Sequence, residues 1–160
     1  MSRLEELHDR HHGLLREQLF RVLELLVHED VAGAGAEFAA FVDDLEAGLA
    51  VEEDVVLPVY RAVGPTEGQG KPAIVEGDHV ILRRGIETVQ AVLAATPTTL
   101  RAILEELPHV YRLIGTLEHH TLREQKHVYP VVAAALDAPG HAADLARVVA
   151  VQVGRRHRHT

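Results

Sequence analysis

Residues 117–131 read LEHHTLREQKHVYPV, and residues 45–59 read LEAGLAVEEDVVLPV. At an offset of 72, Leu45 meets Leu117, Glu46 meets Glu118, Glu52 meets Glu124, Val56 meets Val128 and Pro58 meets Pro130. Both stretches bring apolar residues back at helical spacing, and each sets a glutamate the same distance before a proline. An offset of 67 puts His12 on His79, with Leu15, Leu19, Val22 and Leu26 on Leu82, Ile86, Val89 and Leu93. The first helix thus resembles the third, and the second resembles the fourth. Two helical hairpins related by an approximate twofold would bring four similar faces to one axis.

Outward from these stretches, apolar stripes run from Arg3 to His28, from about Glu37 to Val63, from Pro72 to just before Thr96-Pro97, and from about Thr98 to Leu136. Between them lie EDVAGAG at 29–35 and GPTEGQGK at 64–71, both rich in turn formers. Pro72 suits a first helical turn. Pro108 is expected to start the main part of the fourth helix or to kink it. Beyond Pro139-Gly140, residues Ala142 to Val153 predict a short fifth helix, followed by a frayed RRHRHT tail. No stretch alternates with period two. The pattern predicts an all-α fold: an antiparallel up-down-up-down four-helix bundle with a short C-terminal helix. The whole chain, 1–160, reads as a single domain, with the bundle at about 3–136 and the C-terminal helix and tail at 141–160.

Composition removes several functional classes. The 160 residues contain no cysteine, which excludes disulfides, thiolate metal sites and a cysteine nucleophile. Ser2 is the only serine, so a serine triad is not expected, and HExxH is missing. A net charge of −8 with few aromatics offers nucleic acid neither phosphate attraction nor stacking. The GPTEGQGK loop lacks phosphate-loop spacing and has Pro72 where that motif needs Ser or Thr. No apolar run is long enough for a membrane helix, and MSRLEELHDRHHGLL has no signal-peptide core, so a cytoplasmic protein without a membrane partner is expected. What remains is 12 histidines, a count that raises the question of metal.

Position sharpens that question. His120 and Glu124 are four residues apart, so they share one helix face about 6 Å apart along its axis. Glu52 occupies the matching place in the second helix. The first helix offers His12, with His8 one turn earlier, and the third offers His79. Each lies in or beside an apolar stripe. One inward histidine is readily explained as a buried, hydrogen-bonded imidazole. Inward glutamates are costly unless they are paired or ligate a metal. A bound metal pair resolves the conflict, because iron takes imidazole nitrogen and two carboxylates can bridge and neutralise two ions.

His12, the acidic segment EEDVVLP, His79, and HxxxE followed by YP resemble the hemerythrin-like family, the HHE cation-binding domain, over roughly Leu4 to Leu136. The resemblance implies a non-haem di-iron centre within the bundle: two iron ions per chain, bridged by carboxylates and by an oxo or hydroxo group. Glu52 and Glu124 correspond to the bridges, and His12, His79 and His120 to terminal ligands. It also implies a small ligand such as dioxygen, peroxide or nitric oxide. Reversible ligand binding and di-iron oxidoreductase chemistry (peroxide decomposition, nitric oxide reduction or ferroxidase activity) both stay open, as does a metal-poor helical interaction module. The chain departs from the family pattern at Gly48, four residues before Glu52, where a histidine ligand is expected. Either His8 supplies the missing imidazole, or Gly48 marks an open coordination position, which a tyrosine phenolate is a further candidate to fill.

The other histidines read differently. His11 and His119 adjoin ligand candidates but point about 100° away on a helix. His127, one turn past Glu124, is a candidate to hold a carboxylate or water. His28, His109 and His141 read as surface or helix-end residues, and His157 and His159 as part of a solvated tail. Glu53 reads as exposed or, alternatively, as an acid backing a ligand. Tyr60, Tyr111 and Tyr129 read as packing at the core edge.

Overall fold

The computed structural model describes residues 2–65, 67–68 and 70–136. Its helices are α1 (Arg3–Val27), α2 (Val31–Val51), α3 (Leu57–Val63), α4 (Pro72–Ala94), α5 (Leu100–Arg123) and α6 (Tyr129–Leu136). Wide π-helical turns at Glu52–Val56 and Glu124–Val128 join α2 to α3 and α5 to α6, so the described residues make four rods. Each rod packs against its neighbours in sequence, and the fourth closes back on the first, as an antiparallel bundle requires. The short C-terminal helix expected at 142–153 lies outside the described residues.

Local chemistry sets the ends of these rods. Ser2 caps α1 in a reciprocal capping box with Glu5. Asp30 caps α2 by accepting the Gly33 N–H at 2.8 Å, and Thr99 caps α5 through Ala102 N–H. The second rod therefore begins at Val31, not near Glu37. The Asp30 cap and the burial of Ala34 outweigh the low helix propensity of Gly33 and Gly35. Pro108 lies inside α5 and does not start it.

The two π turns have one physical cause. Pro58 and Pro130 carry no N–H, and their rings crowd the carbonyl one α-turn back, so the preceding helix widens. Leu57 N–H then reaches back to Glu52 C=O, and Tyr129 N–H to Glu124 C=O. The repeated glutamate-to-proline spacing in the sequence is the trace of this paired distortion.

The apolar core is divided. One cluster includes Leu15, Leu19, Val22, Phe38, Phe41, Leu45, Leu82, Val89, Val110 and Leu117. The other holds Leu4, Val56, Tyr60, Val75, Val128, Tyr129 and Val132. A polar layer of histidines and glutamates lies between them along each rod.

Candidate metal centre

Six side chains meet in that layer: His8, His12, Glu52, His79, His120 and Glu124, each at most 4% exposed. His8 Nε2 lies 2.9 Å from Glu124 Oε2, and His79 Nε2 lies 3.3 Å from Glu52 Oε2. His12 and His120 sit between the carboxylates. His12 Nε2 is 3.4 Å from Glu124 and 3.8 Å from Glu52, while His120 Nε2 is 3.2 Å from Glu124 and 3.7 Å from Glu52. Within this group, His12, Glu52, His120 and Glu124 each offer a ligand atom within 4.8 Å of the others. The structure thus brings all six predicted site residues together.

The imidazoles are all turned the same way. Each sends Nε2 to the carboxylates and Nδ1 outward. His79 Nδ1 donates to Glu53 at 2.9 Å, and His8 Nδ1 lies 3.2 Å from Asp9. His120 Nδ1 faces Asp78 at 3.9 Å. His12 Nδ1 is 2.8 Å from Thr121 Oγ1, whose single proton goes to Leu117 C=O at 2.7 Å; the hydroxyl must therefore accept from His12. At His8, His12 and His79 these outer acceptors hold the proton on Nδ1 and leave the Nε2 lone pair directed inward. Arg83 anchors Glu53 at 2.8 Å and is itself held by Glu46, and Arg123 pairs with Asp78.

Electrostatics make the same point. Burial pushes the carboxyls of Glu52 and Glu124 up, but the surrounding imidazoles outweigh it, holding Glu52 well below the usual range and Glu124 at about 2. Burial lowers the imidazoles, but the carboxylates overcome this and raise His12 and His79, with His120 pushed up to about 10. Two buried carboxylates demand positive charge. Without a cation, the histidines supply it by keeping protons.

A cation fits this donor set. His12 Nε2, His79 Nε2, His120 Nε2 and Glu52 Oε2 are buried and lack hydrogen-bond partners, which is costly for polar atoms out of reach of water. All are of atom types that ligate metals, and each of the three nitrogens lies within 4 Å of a Glu52 oxygen.

Several residues read from sequence have other positions. Glu53 combines both of its readings: its side chain is 40% exposed, yet it backs His79. His11 is buried beside His12, with ring centroids 5.6 Å apart. His127 packs against Gly70 on the loop before α4. His119 is exposed and accepts from Arg123. Tyr111 is 56% exposed, so it does not pack at the core edge, whereas Tyr60 and Tyr129 are fully inside. The Tyr60 hydroxyl donates to Gly70 C=O. The Tyr129 ring lies against His8, with centroids 4.0 Å apart. Asp78 and Thr121 carried no signal of their own, although Asp78 directly precedes His79 and Thr121 directly follows His120.

Fold and site together define a helical-bundle protein with a buried histidine–carboxylate cluster of metal-binding make-up. Residues 3–132 match the family described as the hemerythrin HHE cation-binding domain. The chain belongs to that family. No curated protein and no solved structure matches it. Among the described residues, no helix is long and apolar enough to cross a membrane.

Proposed function

We propose that the chain holds two iron ions in the polar layer and binds dioxygen or a related small ligand there, such as peroxide or nitric oxide. His8 and His12 serve one ion, His79 and His120 the other, and Glu52 and Glu124 bridge them. The inward convergence of four Nε2 atoms on two buried carboxylates carries this reading. His8 takes the place left by Gly48: it is fully buried and closest of all to Glu124. When bound, iron supplies an open coordination position for the ligand.

The chain's own residues do the rest. Glu53, Asp9 and Thr121 fix the orientations of the His79, His8 and His12 rings. The two apolar clusters keep bulk water from the layer on either side. A second reading rests on the tighter group of His12, Glu52, His120 and Glu124, which suits a single central ion.

The test is metal analysis of tag-free protein loaded anaerobically with ferrous iron, followed by optical spectra with and without dioxygen. Two ions per chain and a reversible spectral change support the proposal. One ion supports the second reading. No bound iron, with thermal stability unchanged by chelator, would overturn both.

A further inference from the structure

We propose that the cleft over Gly13, between α1 and α5, is the port through which small uncharged molecules reach the polar layer. The cleft has a volume of about 370 Å³. Its inner wall includes His12 and Thr121, and its sides include Leu117 and Leu122. Polar bridges between the rods close both ends: Arg16 donates to Glu118 at 2.8 Å, and Gln125 donates to Asp9 at 2.9 Å.

Gly13 makes the opening. Asp9, Gly13 and Arg16 fall on one face of α1, so a side chain at 13 would stand between the two bridges. A Cβ placed there meets nothing within 4 Å. Directly behind this gap is His12, whose Nε2 is one of the partnerless inward atoms. His12 is also the imidazole whose Nδ1 rests on a neutral hydroxyl, so no carboxylate stands between the cleft and the ring.

A second cavity of about 300 Å³ lies beyond the Asp9–Gln125 bridge, beside His8. There the Tyr129 ring packs on His8, with centroids 4.0 Å apart, and the approach is lined by the carboxylates Glu5 and Asp9 with no cation beside them. The Gly13 cleft is larger and has aliphatic sides. Its charges are Asp9, Arg16 and Glu118, an excess of one negative, which disfavours anions and leaves neutral molecules unhindered.

The inference rests on the metal reading for what a visitor meets, but not for the path. Gly13→Leu fills the gap, and because it removes a glycine from a helix interior it favours the fold. In stopped-flow experiments on the iron-loaded full chain, Gly13→Leu should slow nitric oxide binding by about tenfold, with iron content and equilibrium affinity unchanged. Leu122→Trp, at the opposite and exposed lip, should act in the same direction. Azide, an anion, should bind faster as salt is added, whereas nitric oxide should not. Unchanged nitric oxide rates in both variants would overturn the port; salt-independent azide rates would overturn its preference for uncharged molecules.

If the chain takes up no iron, the metal reading fails and the port is still decided by dissolved dioxygen. Its paramagnetic broadening of the Thr121 and Leu117 methyl signals should be strong in the parent protein and lost in Gly13→Leu. Equal broadening in the two proteins would reject the port on its own.

Discussion

Removing the Glu53 carboxylate tests whether the groups outside the cluster set its affinity for metal. Glu53 accepts from His79 Nδ1 at 2.9 Å and from Arg83 at 2.8 Å. Glu53→Ala leaves His79 free to rotate and makes it a weaker base, and losses of such outer partners cost about 10–100-fold in metal affinity. At saturating metal that is about 1.4–2.7 kcal/mol of linked stability. For a bundle of this size the loss corresponds to a melting temperature about 3–11 °C lower. The metal-free protein should hardly respond, because the Glu53 side chain is 40% exposed and such pairs are worth about 0–1 kcal/mol. The assay is competition with a chromophoric chelator, alongside melting curves with and without metal. Glu53→Gln retains an acceptor for His79 and should lie between parent and Ala. Equal destabilisation of the metal-free and metal-loaded forms, or unchanged affinity, would refute the argument and reduce Glu53 to a surface ion pair.

His8→Ala should lower iron content from two ions towards one, as read by metal analysis, while the exposed His119→Ala leaves it unchanged. Glu124→Ala should cost more than either, because Glu124 faces His8, His12 and His120 at once. The metal-free protein should be most stable between about pH 4.5 and 6.5, measured by denaturant unfolding in chelator. His120 is raised from 6.5 to about 10, so its contribution is complete below pH 6.5 and is lost as pH climbs through 10. Glu124 is lowered from 4.5 to about 2, so its contribution holds above pH 4.5 and fades as pH falls through 2. Metal should move the optimum upward, because it displaces the imidazole protons; an identical pH profile with and without metal would contradict the assignment.

The rods were legible in the sequence because their stripes are long, and because a buried glutamate at helical spacing from leucines has few explanations. The start of the second rod was not, since glycines at 33 and 35 suggest a break that Asp30 capping and packing override. The π turns were visible only as a repeated spacing; their geometry follows from a missing N–H that periodicity does not register. The inner cluster could be found by residue type, while its outer supports could not. Glu53, Asp78 and Thr121 belong to common surface types and acquire a role only through the rod opposite. His11 illustrates the converse: its angular offset from His12 points it out of the cluster, yet the bundle is thick enough there to bury it.

The internal repeat in the sequence bears on the place of His8 as well. At the offset of 72, Gly48 is the partner of His120, so strict symmetry would direct an imidazole from the second rod towards the carboxylates as His120 is directed from the fourth. At the offset of 67, His8 is the partner of Val75, which lies in the apolar cluster. The layer has therefore gained an imidazole on α1 and lacks one on α2, and its total of four is kept. If His8 substitutes for the missing residue, the two positions should be interchangeable. Gly48→His alone should leave iron content at two, because the place is taken. His8→Ala should lower it, and the double variant should restore it, since one imidazole is removed and one returned at similar total volume. Metal analysis of the four proteins, with melting curves to confirm folding, decides the matter. A folded double variant that stays at one ion would mean that Gly48 and His8 face different positions, and that the broken symmetry is not a compensated one.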